Sequence, residues 1–187
     1  MTKLETMTST FRSAETGLNG ADARSKLFEL MKETRFVALT AQGPDGGLRS
    51  RPLTMLELDS DARLWFFVDR TTEWVRDLEI APIVNLTTSN EKESTWVSMC
   101  GIAKIMQDSA RVKRLWTAAA KPFFDGPDDD RLALLCVPIL DADYWDAPDS
   151  RLIRLLGMAR AAITGSRSDV PGSHGTMTIP QELSSNG

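Results

Sequence analysis

The single histidine of this 187-residue chain, His174, lies in a Ser/Gly/Pro-rich C-terminal stretch. Any acid–base work in the folded body must therefore proceed without the side chain best suited to neutral pH. What the body offers instead is basic: Arg49, Arg51, Arg70 and Arg76 fall within one short region, with an Arg-Pro step at Arg51-Pro52. Guanidinium groups suit carboxylate or phosphate recognition. The chemistry this pattern implies is that of a bound anionic cofactor, with the protein supplying orientation and charge. Asp125 and Asp128–Asp130 form an acidic run, but its spacing lacks the glycine and terminal glutamate of a calcium loop, so it reads as a solvated loop.

Composition bounds the rest. With 42% hydrophobic and 26% charged residues the chain has apolar material for one core, and it is short for two domains. A net charge of −4 argues against nucleic acid or an anionic membrane surface as the main partner. Cys100 and Cys136 sit in apolar runs without CxxC or Cys/His spacing. They are expected to be buried thiols of a cytoplasmic protein, not zinc ligands or a disulfide. No N-terminal stretch reads as a signal peptide, and no run approaches the ~20 apolar residues of a membrane span.

The elements that would position the arginines follow from periodicity. Residues 1–20 and 166–187 lack hydrophobic period and are expected to be a flexible N-terminal segment and a disordered tail, leaving 21–165 as the domain. Leu27, Phe28, Leu30 and Met31 predict an amphipathic helix over 23–33 with Asp22 as cap. Strands are expected at 35–41 and 48–58, joined by the turn Gly43-Pro44-Asp45-Gly46-Gly47, and at 64–68, where every residue is apolar and both faces should be covered. A short helix capped by a threonine hydroxyl, Thr71 or Thr72, should end at Pro82. Strands at 83–88 and 94–107 follow, with Gly101 marking a bulge or close backbone approach. A helix capped by Asp108 or Ser109 comes next, then a strand at 132–137, a turn near Pro138, a strand at 142–145 and a last helix through Leu152–Ala159.

Taken in order, Arg51-Pro52-Leu53, Leu64–Val68, Val75 to Leu78, Pro82-Ile83-Val84-Asn85-Leu86, Val97 to Ala103, Leu115-Trp116, Lys121 with Phe123-Phe124, and Tyr144-Trp145-Asp146 carry a family likeness. The combination, over roughly residues 24–160, resembles the general stress protein 26 branch of the pyridoxamine 5′-phosphate oxidase-like, FMN-binding split-barrel proteins. That resemblance implies an α+β, mainly β fold, a six-stranded split barrel with peripheral helices. It also implies a homodimer with FMN in the groove between subunits; FAD is the alternative flavin and NAD(P)H the candidate reductant. It places the strand Arg51, Pro52, Leu53, Thr54 and Met55 along the flavin, with Phe67 and Val68 beside it. Thr72, next to Thr71, would meet the phosphate at a helix N-terminus; Trp96 would approach from the other subunit and Lys121 would lie near the site. By default Thr72 is a helix cap, Trp96 and Trp116 are core or interface aromatics, and Lys121 is a solvated charge.

One departure bears on the phosphate. Family members usually carry lysine directly after the hydroxyl residue, where this chain has Glu73-Trp74. Arg49, Arg51, Arg70 or Arg76 would have to substitute, or Trp74 would stack on a ring. Three readings stay open: a flavin-dependent oxidoreductase or reductase, a flavin-binding or sensing stress protein without turnover, and a cofactor-free dimeric barrel. Pyridoxamine-phosphate oxidation is not expected, because no basic, histidine-containing segment near the C-terminus is present to hold that substrate.

Overall fold

A computed structural model describes residues 17–146 and 173–181. Its strands are β1 (Leu18–Asn19), β2 (Phe36–Gln42), β3 (Leu48–Thr54), β4 (Glu57–Leu58), β5 (Arg63–Asp69), β6 (Ile83–Asn90), β7 (Thr95–Ile102), β8 (Lys104–Met106), β9 (Leu132–Asp146) and β10 (Ser173–Thr178). The helices are α1 (Gly20–Met31), α2 (Glu73–Ile80) and α3 (Ser109–Leu115), followed by a 3-10 turn at Ala118–Ala120. Neighbouring strands run in the order β1-β10-β9-β7-β6-β2-β3, while β5 and β8 pair with the first half of β9, and β4 with β5. All pairings are antiparallel except β1 with β10. The result is a mostly-β split barrel whose sheet is not closed, with ten strands, some very short, where six were expected.

Local chemistry accounts for most boundaries. In β2 the period of two turns Val37, Leu39 and Ala41 inward, and the hairpin to β3 closes through Gly43 N–H to Gly47 O and Gly46 N–H to Gly43 O. The residues of β5 are covered on both faces, as its composition predicts: Leu64, Phe66 and Val68 enter one cluster, while Trp65, with half-buried Phe67 against it, enters another. Gly101 satisfies both expectations made for it. The register of β7 against β9 shifts between Cys100 and Gly101, and a Cβ at Gly101 would meet Pro138 O and Val137 Cγ1 at 2.6 Å.

Several expectations are corrected. No turn forms at Pro138; β9 runs unbroken for 15 residues, with Pro138 buried against Arg63 of β5 where the strand passes from one set of partners to the other. The 94–107 strand divides at Ala103, whose N–H donates to Pro82 O. Helix α1 starts at Gly20 with Asn19 at its N-cap, so Asp22 lies in the first turn and is not the cap. The 48–58 strand is interrupted after Thr54, because Met55 and Leu56 turn their N–H groups to Arg35 O and Trp65 O. Cys136 is buried, but Cys100 is only half-buried. The helix expected at Leu152–Ala159 lies outside the described residues.

The largest correction concerns the chain ends. Leu18–Asn19 pairs with β10, and β10 pairs along its length with Asp141–Asp146 of β9, so parts of both segments expected to be flexible or disordered belong to the sheet. Met177 and Ile179 are fully buried against the main core, and Ile179 N–H donates to Leu140 O. The 173–179 stretch escaped notice because only Met177 and Ile179 face inward among Ser, Gly, Thr and His. Met177→Ala should destabilise the protein by about 2–5 kcal/mol, read from denaturant midpoints. A midpoint equal to wild type would show that β10 does not dock in solution.

Candidate functional site

Between β3 and β5 on one side and the segment after α3 on the other lies a pocket of about 320 Å³, near the small end of ligand sites. Pro52, Leu53 and Thr54 of β3, Leu56, Phe67 to Asp69 of β5 and Trp74 of α2 form one wall; Thr117, Ala119, Ala120, Phe123 and Phe124 form the other. Among the described residues strand β3 has one strand partner, β2, and lies at the sheet edge. Main-chain groups on its free side, C=O groups and N–H groups except at Pro52, which has none, are therefore open to a ligand that presents donors and acceptors on an edge. Phe67 anchors the floor, with its ring centre 5.9 Å from Trp116 and 6.4 Å from Phe124. Such walls suit a flat aromatic ring system.

The charged groups are placed less simply. Arg51 is half-buried on β3, and its guanidinium lies 4.9 Å from the ring centre of Trp74, a cation–π contact at the pocket wall. Asp69 is the ionisable residue among those lining the pocket. Its Oδ1 accepts bonds from the Thr71 hydroxyl at 2.6 Å and the Thr71 N–H at 2.9 Å, and these hold its carboxyl below the ordinary carboxylate range. The carboxylate is ionised at neutral pH, with Arg131 3.8 Å away.

Of the residues named from the sequence, Pro52, Leu53, Thr54, Phe67, Val68 and Trp74 line this pocket, and Arg51 adjoins it through Trp74. Met55 packs against the main core and Trp116 supports Phe67 from behind. Arg49 is turned away: both its terminal nitrogens bind the Asp45 carboxylate at 2.7 Å within the hairpin turn. Arg70 donates to Asp130 O and Arg76 to Thr71 O. Thr72 is the N-cap residue of α2 but makes no side-chain cap bond, since its hydroxyl donates to Asp69 O at 2.7 Å. Lys121 is exposed just past the 3-10 turn, between lining residues Ala120 and Phe123. Trp96 lies elsewhere, on the exposed face of β7 opposite Trp145, whose ring stacks on His174 at 5.0 Å. Sequence reasoning did not assign Leu56, Asp69, Thr117, Ala119, Ala120, Phe123 or Phe124 to the site. The run Ala118-Ala119-Ala120 was the available signal, since small residues before Phe123-Phe124 let a chain approach a flat ligand.

The comparisons with known proteins agree with this fold. The family model described as pyridoxamine 5′-phosphate oxidase like matches residues 22–169, well over half of the chain. Protein bli-3 of Neurospora crassa is 23% identical over 155 residues, covering 77% of this chain and 74% of that protein. The structure of general stress protein 26 from Bacillus anthracis superposes with a TM-score of 0.58 at 20% identity, covering 65% of this chain and 92% of that one. The structure of a general stress FMN/FAD binding protein from Xanthomonas citri gives 0.58 at 26% identity, covering 68% and 91%.

The Asp69 arrangement has a pH consequence. Protonation opposes both Thr71 bonds, so their stabilisation is complete above the ordinary carboxylate range and is lost as pH falls through the lowered value. Thr71→Val removes the hydroxyl donor and should move the Asp69 midpoint upward in a carboxyl-detected NMR titration. A midpoint unmoved by the substitution would show that the hydroxyl does not hold the carboxylate.

Proposed function

This chain belongs to the pyridoxamine 5′-phosphate oxidase-like family, and from that premise we propose that its pocket holds a flavin, FMN in the first instance, against β3 and the aromatic floor of β5. The observation that carries the reading is the pairing of an edge strand with an apolar, aromatic-lined pocket. Planar rings need flat apolar walls, and the hydrogen-bonding edge of an isoalloxazine needs main-chain partners; β3 offers both in one strand. The Xanthomonas citri neighbour, described as FMN/FAD binding, adds support.

Within this reading Arg51 carries the phosphate. Arg49 is held by Asp45, the Thr72 hydroxyl is committed to Asp69 O, and the ionised Asp69 disfavours a second anion close by. Arg51 has the face of Trp74 and, among the described contacts, no carboxylate partner, so a phosphate can recruit it without breaking an ion pair. A bound isoalloxazine would supply the electron chemistry, with NAD(P)H as its reductant. The lining residues would orient the ring and exclude water. A second copy of the chain would cover the face bearing Trp96 and Trp145, which are 48% and 45% exposed. The free thiols of Cys100 and Cys136 support a reducing compartment such as the cytoplasm.

Purified protein should show the two flavin absorbance bands or quench added FMN, and anaerobic NAD(P)H should bleach the bands if turnover occurs. Arg51→Ala should weaken FMN binding at least about tenfold, or ~1.4 kcal/mol, and Trp74→Lys should tighten it. An unchanged dissociation constant in Arg51→Ala would move the phosphate away from β3. Light scattering should give twice the chain mass of 20.7 kDa, and a monomer at micromolar concentration would refute the dimer.

A further inference from the structure

The second wall of the pocket is not part of the sheet. Its hydrogen bonds are local: Ala120 N–H donates to Thr117 O, Lys121 N–H to Ala118 O, and Phe123 and Phe124 N–H to Ala120 O. What precedes it is α3, a seven-residue helix with Val112 as its one buried residue. A helix of that length has no stability of its own in water and takes its position from the side chains it contacts.

Val112 and Leu115 pack into the smaller hydrophobic cluster and Lys113 pairs with Asp128, while Arg111 and Arg114 converge on one carboxylate. Glu57 Oε2 accepts from Arg111 Nη1 at 3.0 Å and Arg114 Nη2 at 2.8 Å, and Oε1 accepts from Arg114 Nη1 at 3.0 Å. Arg111 also lies 3.8 Å over the ring centre of Trp65, whose indole N–H donates to Asp59. Among the described residues, the polar links from α3 to β4 and the turn after it run through these two arginines. Glu57 directly follows Leu56, which lines the pocket from the first wall, while α3 leads directly into the second. The carboxylate therefore ties together the two walls from behind.

We propose that Glu57 is a positioning residue, setting the separation of the pocket walls by holding α3, and with it Thr117–Phe124, at a fixed distance from Leu56. An exposed ion pair would be a poor candidate for this role. Glu57 and Arg111 are only 24% and 22% exposed, and the bidentate geometry of Arg114 adds direction to charge. The Arg114 bonds, with the charge of Arg111, hold the Glu57 carboxyl below its ordinary range, so the clamp is formed at neutral pH. The consequence for ligand affinity rests on the flavin reading; the consequence for wall mobility does not.

The test uses the full chain and two readouts. In Glu57→Gln, hydrogen exchange at the amides of Ala120, Lys121, Phe123 and Phe124 should accelerate at least about tenfold while β5 and β9 amides keep wild-type rates. FMN dissociation should accelerate about fivefold or more. If Glu57→Gln folds poorly, Arg114→Gln at the half-exposed end of the network serves instead. Unchanged exchange in the wall, or an equal rise in β5 and β9, would overturn the proposal, as would unchanged FMN dissociation from a protein that binds it. A wild-type protein that binds no FMN would instead refute the flavin reading, and the exchange rates would still decide whether Glu57 holds the wall.

Discussion

One strand serving two sets of partners is the constraint on which the rest of this molecule depends. From Leu132 to Ile139 β9 is buried on both faces, and its alternation divides the interior: Ala133, Leu135, Val137 and Ile139 enter the main core, while Leu132, Leu134 and Cys136 enter the smaller cluster. Each fully buried aliphatic of this size contributes about 1.5–3 kcal/mol, so neither face can be left uncovered. The main core is closed by α1 and by the inward faces of β2, β6 and β7. The smaller one is closed by Trp65, Val112, Phe124 and half-buried Trp116. Phe67, Ala120 and Phe124 of the pocket lining are the outer surface of that smaller cluster, which links this part of the site to the even-numbered residues of β9.

Charge is spent mainly on architecture. Arg49 with Asp45 fixes a hairpin, Arg63 with Asp59 fixes the turn into β5, and Arg131 with Asp129 closes the acidic loop, where Asp129 is held at about 2 first by its Arg131 hydrogen bond. Arg51 differs from these in having, among the described contacts, an aromatic face and no carboxylate partner. On the proposed reading, what leaves Arg51 available to a ligand is that no carboxylate holds it.

The strands were legible where burial on one or both faces left a period in the residues, as in Phe36–Gln42 and Leu64–Val68, and Gly101 was legible because a strand-interior glycine has few other uses. Pro138 misled because proline usually ends a strand, yet at a crossing between two sets of partners its missing N–H is no loss. Ser173–Thr178 was invisible because its pairing partner lies far away along the chain and its own residues are small and polar. In the site, β3 and Phe67-Val68 could be read from the resemblance. The commitments of Arg49 and Thr72 could not, since which neighbour takes a hydrogen bond depends on turn geometry that residue type does not encode. Glu57 carried no signal, since its partners stand more than fifty residues away.

The two cysteines bear on how this chain meets oxidants. Burial pushes the Cys136 thiol up to about 11 and raises that of Cys100 as well, with the Asp141 charge adding to the latter. Both sulfurs are therefore protonated at neutral pH, and it is the thiolate that attacks peroxide or a disulfide. Thiolate chemistry is thus disfavoured at both cysteines, and the sulfurs more open to peroxide are thioethers such as that of Met106, which is 39% exposed.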